Sequence, residues 1–220
     1  MLRAHRTSSA ALTRRRQGAV QCHASFFSKL FGGGGDDKAT ADKMGAASST
    51  PAPQGAAGKG AVSRLGFPLT ISDEERQKAA AQLTEFQRYV TLQHGTERAF
   101  TGKTVDGTPH DSKKKGIYVS ALGGLPLFAS DAKFDSGTGW PSFVAPISED
   151  HVELKVDKSI PFMPRTEVVD RRTGAHLGHV FDDGPRNRGG KRYCINAAAL
   201  RFVPEGEELP LKKVDGQAKL

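Results

Sequence analysis

Beyond about residue 92 the apolar residues of this chain come in short or alternating pieces, each bounded by Gly, Pro or Asp. The pieces cover 116–120, 125–129, 142–144, 152–156, 166–169, 179–181 and 193–202. Segments this short, separated by turn signals, suit the strands of a small antiparallel sheet rather than the alternating strands and helices of a parallel one. The expected fold is therefore mainly β, a small antiparallel sheet or barrel-like structure with short peripheral helices. Val152-Glu153-Leu154-Lys155-Val156 alternates most cleanly. In the last piece, Ala197-Ala198-Ala199-Leu200 favours helix by propensity, while a strand with a bulge or tight turn competes. Upstream, Thr70-Ile71-Ser72-Asp73-Glu74-Glu75 reads as a helix start, with Thr70 or Ser72 as cap. Ala79, Leu83, Phe86 and Val90 then recur at helical spacing, which predicts one short amphipathic helix to about residue 92.

The 220 residues suffice for one well-buried domain and a tail. The formal charge of +8 invites a nucleic-acid reading, but its distribution argues otherwise. No acidic residue precedes Asp36, whereas Arg3, Arg6, Arg14, Arg15, Arg16 and Lys29 are basic. Residues 1–31 therefore read as an organellar transit segment, mitochondrial with plastid as the second choice, or else as an uncleaved basic arm. They lack the continuous apolar run of a secretory signal or membrane span. Residues 32–64 are rich in Gly, Ala, Ser and Pro and read as a disordered linker. The folded unit is expected over 65–205, with a flexible tail over 206–220. Cys22 and Cys194 are the two cysteines, too few for a disulfide scaffold and without a CxxC pair.

Three clusters could carry chemistry. Trp140, the lone tryptophan, sits between the Gly137-Thr138-Gly139 turn and Pro141, where its face could wall an apolar pocket for a methyl-sized group or simply anchor a loop in the core. His176 and His179 are three apart and would not share a strand face by simple alternation, but a bend at Gly178 can bring both rings to one site. Structural or surface histidines are the plainer alternative. In Arg192-Tyr193-Cys194-Ile195-Asn196, alternation puts Arg192, Cys194 and Asn196 on one face. A cation beside a thiol favours the attacking thiolate, although a lone cysteine in a strand is also a common buried hydrophobe.

Read as whole strings, these segments resemble the B-type family of peptide methionine-sulfoxide reductases. The resemblance runs from Gly95-Thr96-Glu97 through Gly116-Ile117-Tyr118, Lys133 to Phe143, Arg165 to Val168 and His176 to Pro185, to Arg192 to Pro204. It implies reduction of protein-bound methionine-R-sulfoxide, and more weakly of the free form, by the Cys194 nucleophile, leaving a sulfenic acid. It further implies His179 as main proton donor, His176 as helper, and Asn196 and Arg192 on the polar side of the site. Trp140, Phe181, Pro141 and Phe143 would bind the substrate.

The chain departs from that family in two places. Many members hold a structural zinc in two CxxC pairs, but the matching positions are Ser120, Gly123, Asp170 and Thr173, so no metal is expected. Many also have a resolving cysteine where Thr138 stands. The sulfenic acid would then be reduced from outside, by thioredoxin or by glutathione with glutaredoxin, unless a retained Cys22 reaches it. No bound cofactor, nucleic acid or membrane is expected, and the protein is read as a monomer. The rival readings are a non-catalytic binding module on this scaffold and a thiol peroxidase-like protein that forms a sulfenic acid.

Overall fold

The computed structural model describes residues 60–214, all within one compact unit. The transit segment, Cys22 and most of the expected linker lie outside the described residues. Two short helices open the described region, α1 (Asp73–Ala81) and α2 (Glu85–Leu92), where one had been expected. Each starts at its own capping box, Ser72 with Glu75 and Thr84 with Gln87, so two of the free N–H groups at the start of α2 are satisfied without continuing α1. Leu83, in the break, turns inward against Leu122 and Ala175. Phe86, expected on the buried face, is 49% exposed.

Nine strands follow: β1 (Gly116–Ser120), β2 (Pro126–Ala129), β3 (Lys133–Phe134), β4 (Ser142–Phe143), β5 (Val152–Asp157), β6 (Arg165–Asp170), β7 (His176–Phe181), β8 (Arg192–Ile195) and β9 (Leu200–Pro204). The Ala197–Ala199 stretch is a single 3-10 turn between β8 and β9, so the competing tendencies there resolve into a tight turn. All pairings are antiparallel. One sheet has the order β2-β1-β9, the other β3-β4-β8-β7-β6-β5.

The barrel-like expectation is corrected here, because neither sheet closes. Closure needs outer strands long enough to pair at the required tilt. At one edge of the larger sheet β3 is two residues long, and at the other β5 leaves Leu154 and Val156 facing solvent. The core instead lies between two open sheets. Phe128 of β2 stacks on Phe143 of β4 with ring centroids 4.4 Å apart, and Tyr118, Leu127, Val168, Leu177, Tyr193 and Ile195 fill in around them. Beyond β9 the chain stays on the body: Leu209 and Leu211 pack against this core, and the Val214 N–H donates to the Gly66 carbonyl.

A second link between the sheets is polar. Ser120 at the end of β1 donates to Asp170 Oδ2 at the end of β6 over 2.6 Å, and Thr173 donates to the same oxygen over 2.5 Å. The Arg172 N–H supplies Asp170 Oδ1, and the Gly123 N–H donates back to Ser120 Oγ. These are the four positions that align with the zinc cysteines of the resembled family, and they do not fit a zinc ion. Their oxygens are committed to one another, Gly123 offers no ligand, and a Cβ there would lie 2.4 Å from the Thr173 methyl. Burial pushes the Asp170 carboxyl upward, opposed by its hydrogen bonds from Ser120 and Thr173. Asp170→Ala would strand three donors in a buried place, so a loss of about 3 kcal/mol is expected in urea unfolding. A loss under about 1 kcal/mol would show that packing alone joins the sheets.

Candidate active site

Cross-strand register assembles the site. Ser142 of β4 lies opposite Cys194 of β8, Cys194 opposite His179 of β7, and His179 opposite Glu167 of β6. Directly opposed residues project from the same face, so these four side chains form a row across four strands. The residues one step along, Phe143, Tyr193 and Val180, point into the core.

Simple alternation would send His176 to that core face. The pairing slips between Val168 and Val169: Gly178 faces Val168 and His176 faces Val169, leaving Leu177 as an extra residue. The bulge returns His176 to the side of His179, with ring centroids 5.5 Å apart. It also presses β7 onto β8. A Cβ on Gly178 would stand 2.1 Å from the Cys194 carbonyl oxygen, so only glycine fits.

Carboxylates orient both rings. His176 Nδ1 lies 2.5 Å from Glu167 Oε1, and His94 Nδ1 lies 2.6 Å from the same oxygen. Burial lowers the His176 pKa, so at neutral pH the ring is neutral and donates its Nδ1 hydrogen to an ionised Glu167. Its Nε2 is buried and has no protein partner among the described residues. His94, Glu167 and His176 are also the described trio whose ligand atoms could meet at one cation, but those atoms stand at hydrogen-bonding distance from each other. His179 Nε2 lies 2.8 Å from Asp157 Oδ2, which also takes a hydrogen bond from Arg165 over 2.6 Å. Hydrogen bonds from Ser159 above all, with those of His179 and Arg165, hold Asp157 far below the ordinary carboxylate range.

Arg192 is gripped by Asp183 through two bonds of 2.8 Å and lies over the Phe181 ring, 4.5 Å from its centroid. Burial pushes the Cys194 thiol upward, while the charge of Arg192 and hydrogen bonds with Thr138, Arg192 and Ser142 pull it down. The influence of Arg192 has the expected sign, but burial outweighs it.

Behind the row sits a polar hub. The Glu97 carboxylate, 3% exposed, accepts from the Ala197 and Ala198 N–H groups at 2.7 and 2.9 Å and so caps the turn after Cys194. The Trp140 indole donates to the Glu97 carbonyl over 3.1 Å. Asn196 accepts from the Glu97 N–H and donates to the Leu177 carbonyl, both at 3.0 Å. It ties this hub to the bulge rather than lying in the row.

Cys194, His179, His176, Arg192 and Phe181 thus come together on one face, with Trp140 and Pro141 at the approach to β4. Phe143 does not join them, since it belongs to the core. Asp157, Glu167, Asp183, Ser142 and Glu97 were not singled out from sequence as site residues. Strand alternation could have suggested Glu167 once its pairing with β7 was known, while nothing local marks Glu97 as the partner of a turn 100 residues away.

The site is thus a half-buried thiol on an open antiparallel sheet, beside two histidines that carboxylates hold in place. Residues 83–204 match the SelR domain, and the chain belongs to that family. It is 53% identical over 136 residues to the protein named peptide methionine sulfoxide reductase B1, chloroplastic, of Oryza sativa subsp. japonica, covering 62% of this chain and 59% of the rice protein. The Arabidopsis thaliana protein of the same name is 48% identical over 159 residues, 72% of each chain. Peptide methionine sulfoxide reductase MsrB of Methanosarcina barkeri is 52% identical over 136 residues, 62% of this chain and 89% of that one. The chain therefore matches less than two thirds of the rice protein's length.

Two substitutions test the geometry. Gly178→Ala should force β7 from β8, costing about 1–3 kcal/mol in urea unfolding and far more than half of any Cys194-dependent activity; retention of both would mean the strands can separate freely. Asp157→Asn should destabilise at pH 7. Since the folded pKa of Asp157 is depressed, its contribution is present above the unfolded value of about 3.9 and fades as pH falls below it. Parent and variant should converge in acid, and a difference that stays constant down to pH 2 would show that charge is not involved.

Proposed function

We propose that this protein reduces methionine-R-sulfoxide in polypeptides, and more weakly the free amino acid, to methionine. The observation that carries the reading is the row in which Cys194 stands between Ser142 and His179. The names of the rice, Arabidopsis and archaeal relatives support the same reaction class.

The sulfur of Cys194 attacks the sulfoxide sulfur. As the S–S bond forms the S–O bond breaks and the protonated oxygen leaves as water; water then attacks the Cys194 sulfur and the S–S bond breaks with its electron pair going to methionine, leaving Cys194 a sulfenic acid, so cysteine sulfur loses the two electrons that methionine sulfur gains. A sulfoxide oxygen departs only when it accepts a proton, and His179, oriented by Asp157, is the donor beside the thiol, with His176 next to it. Arg192 lies close enough to favour the thiolate as it forms, Phe181 backs the guanidinium, and Trp140 with Pro141 forms the apolar wall for the substrate methyl. Asn196 acts through the turn and bulge that it ties together.

Threonine at position 138 cannot form a disulfide, so an external thiol completes the cycle. One thiol displaces water from the sulfenic acid to give a mixed disulfide, and a second thiol releases Cys194. Thioredoxin, or glutathione with glutaredoxin, fits that requirement. The chloroplastic relatives support an organellar site, plastid or mitochondrion, for a chain with this basic amino-terminal composition. Among the described residues no helix is long and apolar enough to cross a membrane.

The full chain, incubated with separated R and S epimers of a blocked methionine sulfoxide and no reductant, should form about one equivalent of methionine from the R epimer alone. Cys194→Ser should form none. Loss of one thiol per methionine indicates a stable sulfenic acid, and loss of two indicates closure by Cys22. No methionine from either epimer, with Cys194 titratable, would overturn the reading; turnover of peroxide alone would point to a thiol peroxidase.

A further inference from the structure

Trp140 helps to line a cavity of about 530 Å³ that extends away from Cys194 to residues the reaction has not been given a use for. That is the size of a small-molecule or peptide side-chain site. Its lining includes Lys113, Lys114, Lys115 and Lys133 against Asp111 and Asp135. Lys115 is paired with Asp131, and the Lys133 ammonium donates to the Ser112 carbonyl over 3.1 Å, close to the charges of Asp111 and Asp135. Lys113 and Lys114 are exposed and make no ion pair among the described residues. The wall therefore keeps two cationic side chains unanswered.

Phe100 lines the same cavity. Its φ of +65° is a backbone conformation that bulky residues rarely adopt. Its side chain is nevertheless 66% exposed. The Phe100 N–H donates to the Gly139 carbonyl over 2.8 Å, and a Cβ on Gly139, at φ +84°, would lie 2.6 Å from that nitrogen. Phe100 is thus fastened to the residue preceding Trp140 and held outward, edge-on to His110 with ring centroids 6.2 Å apart. Strain that displays an aromatic ring beside free cations is the arrangement of a ligand clamp rather than of a loop seeking burial.

We propose that this cavity is a carboxylate-binding subsite for the peptide bound at Trp140, in which Lys113 and Lys114 receive an acidic side chain flanking the methionine sulfoxide and Phe100 covers the peptide. The proposal rests on the reductase reading. The same chemistry would accept a carboxylate of a thiol tripeptide such as glutathione, so the test has two arms.

In the first arm the full chain and its Lys113→Ser/Lys114→Ser variant react, without reductant, with blocked peptides that carry methionine-R-sulfoxide between two Asp, two Ser or two Lys residues. At low ionic strength the parent should reduce the Asp peptide about fivefold faster than the Ser peptide at subsaturating concentration, and the Lys peptide more slowly. The preference should collapse in the variant and in 0.5 M salt, while the Ser peptide rate stays the same. In the second arm the oxidised proteins react with glutathione or with uncharged 2-mercaptoethanol. An advantage of glutathione that is lost in the variant, with no peptide preference, would assign the carboxylate to the reductant. Indifference of both arms to Lys113 and Lys114 would overturn the subsite while leaving the reductase intact. Failure of the parent to reduce even the Ser peptide would bring down the functional reading and the subsite with it.

Discussion

The close approach of β7 to β8 at Gly178 is the contact on which the rest of the site depends. With no Cβ there, the backbone of β7 can lie against the Cys194 carbonyl, and the extra residue beside it returns His176 to the face that carries His179. Without the bulge the alternation of a regular strand would bury His176 in the core and leave the thiol with one histidine. Asn196 ties the same place down from behind, since its amide donates to the Leu177 carbonyl within the bulge. A local irregularity of backbone therefore decides which side chains can meet.

A row of side chains across four strands is rigid only if its neighbours are, and the histidines and Arg192 in and beside it are each matched to a carboxylate. Glu167 serves His176 and His94, Asp157 serves His179 and Arg165, and Asp183 serves Arg192. Pairing of this kind sets orientation more than net stability, because a partly buried ion pair gains little beyond its desolvation cost. The Asp170 cluster does comparable work at the far end of β6, where hydroxyls and one carboxylate join the sheets in the place that thiolates and zinc occupy in the resembled family. Three side chains and two backbone N–H groups can fill the role because it requires only a dense, directional cross-link between two strand ends.

Much of this architecture was legible in the chain. Strand positions followed from short pieces cut by Gly, Pro and Asp, since a turn needs residues that tolerate unusual backbone angles. Gly178 between two histidines pointed to a bend, and alternation placed Arg192 and Cys194 on one face, as the register does. Sheet closure was not legible, because strand periodicity states which face is buried but not whether the outer strands meet. The division of the first helix turned on Thr84, whose capping value competes with an apolar period that runs through it. Phe143 resembles a pocket residue in the string Trp140-Pro141-Ser142-Phe143, yet one step of alternation from Ser142 sends it to the core. Asp157 and Glu167 lie in segments far from Cys194 that only the register brings near, and Glu97 reaches the site from a loop, by capping the turn after β8.

The state of the thiol follows from the same packing. Burial favours neutral Cys194, and the charge of Arg192 does not reverse this. A protonated thiol is a slow nucleophile toward unselected oxidants. On the reductase reading that slowness shields the thiol from such oxidants. His179 lies directly opposite Cys194 in the sheet and is bonded to Asp157 through Nε2, while the hydrogen bonds of the thiol itself run to Thr138, Arg192 and Ser142. Packing therefore sets both the protonation of the thiol and the neighbours that hold it in the row.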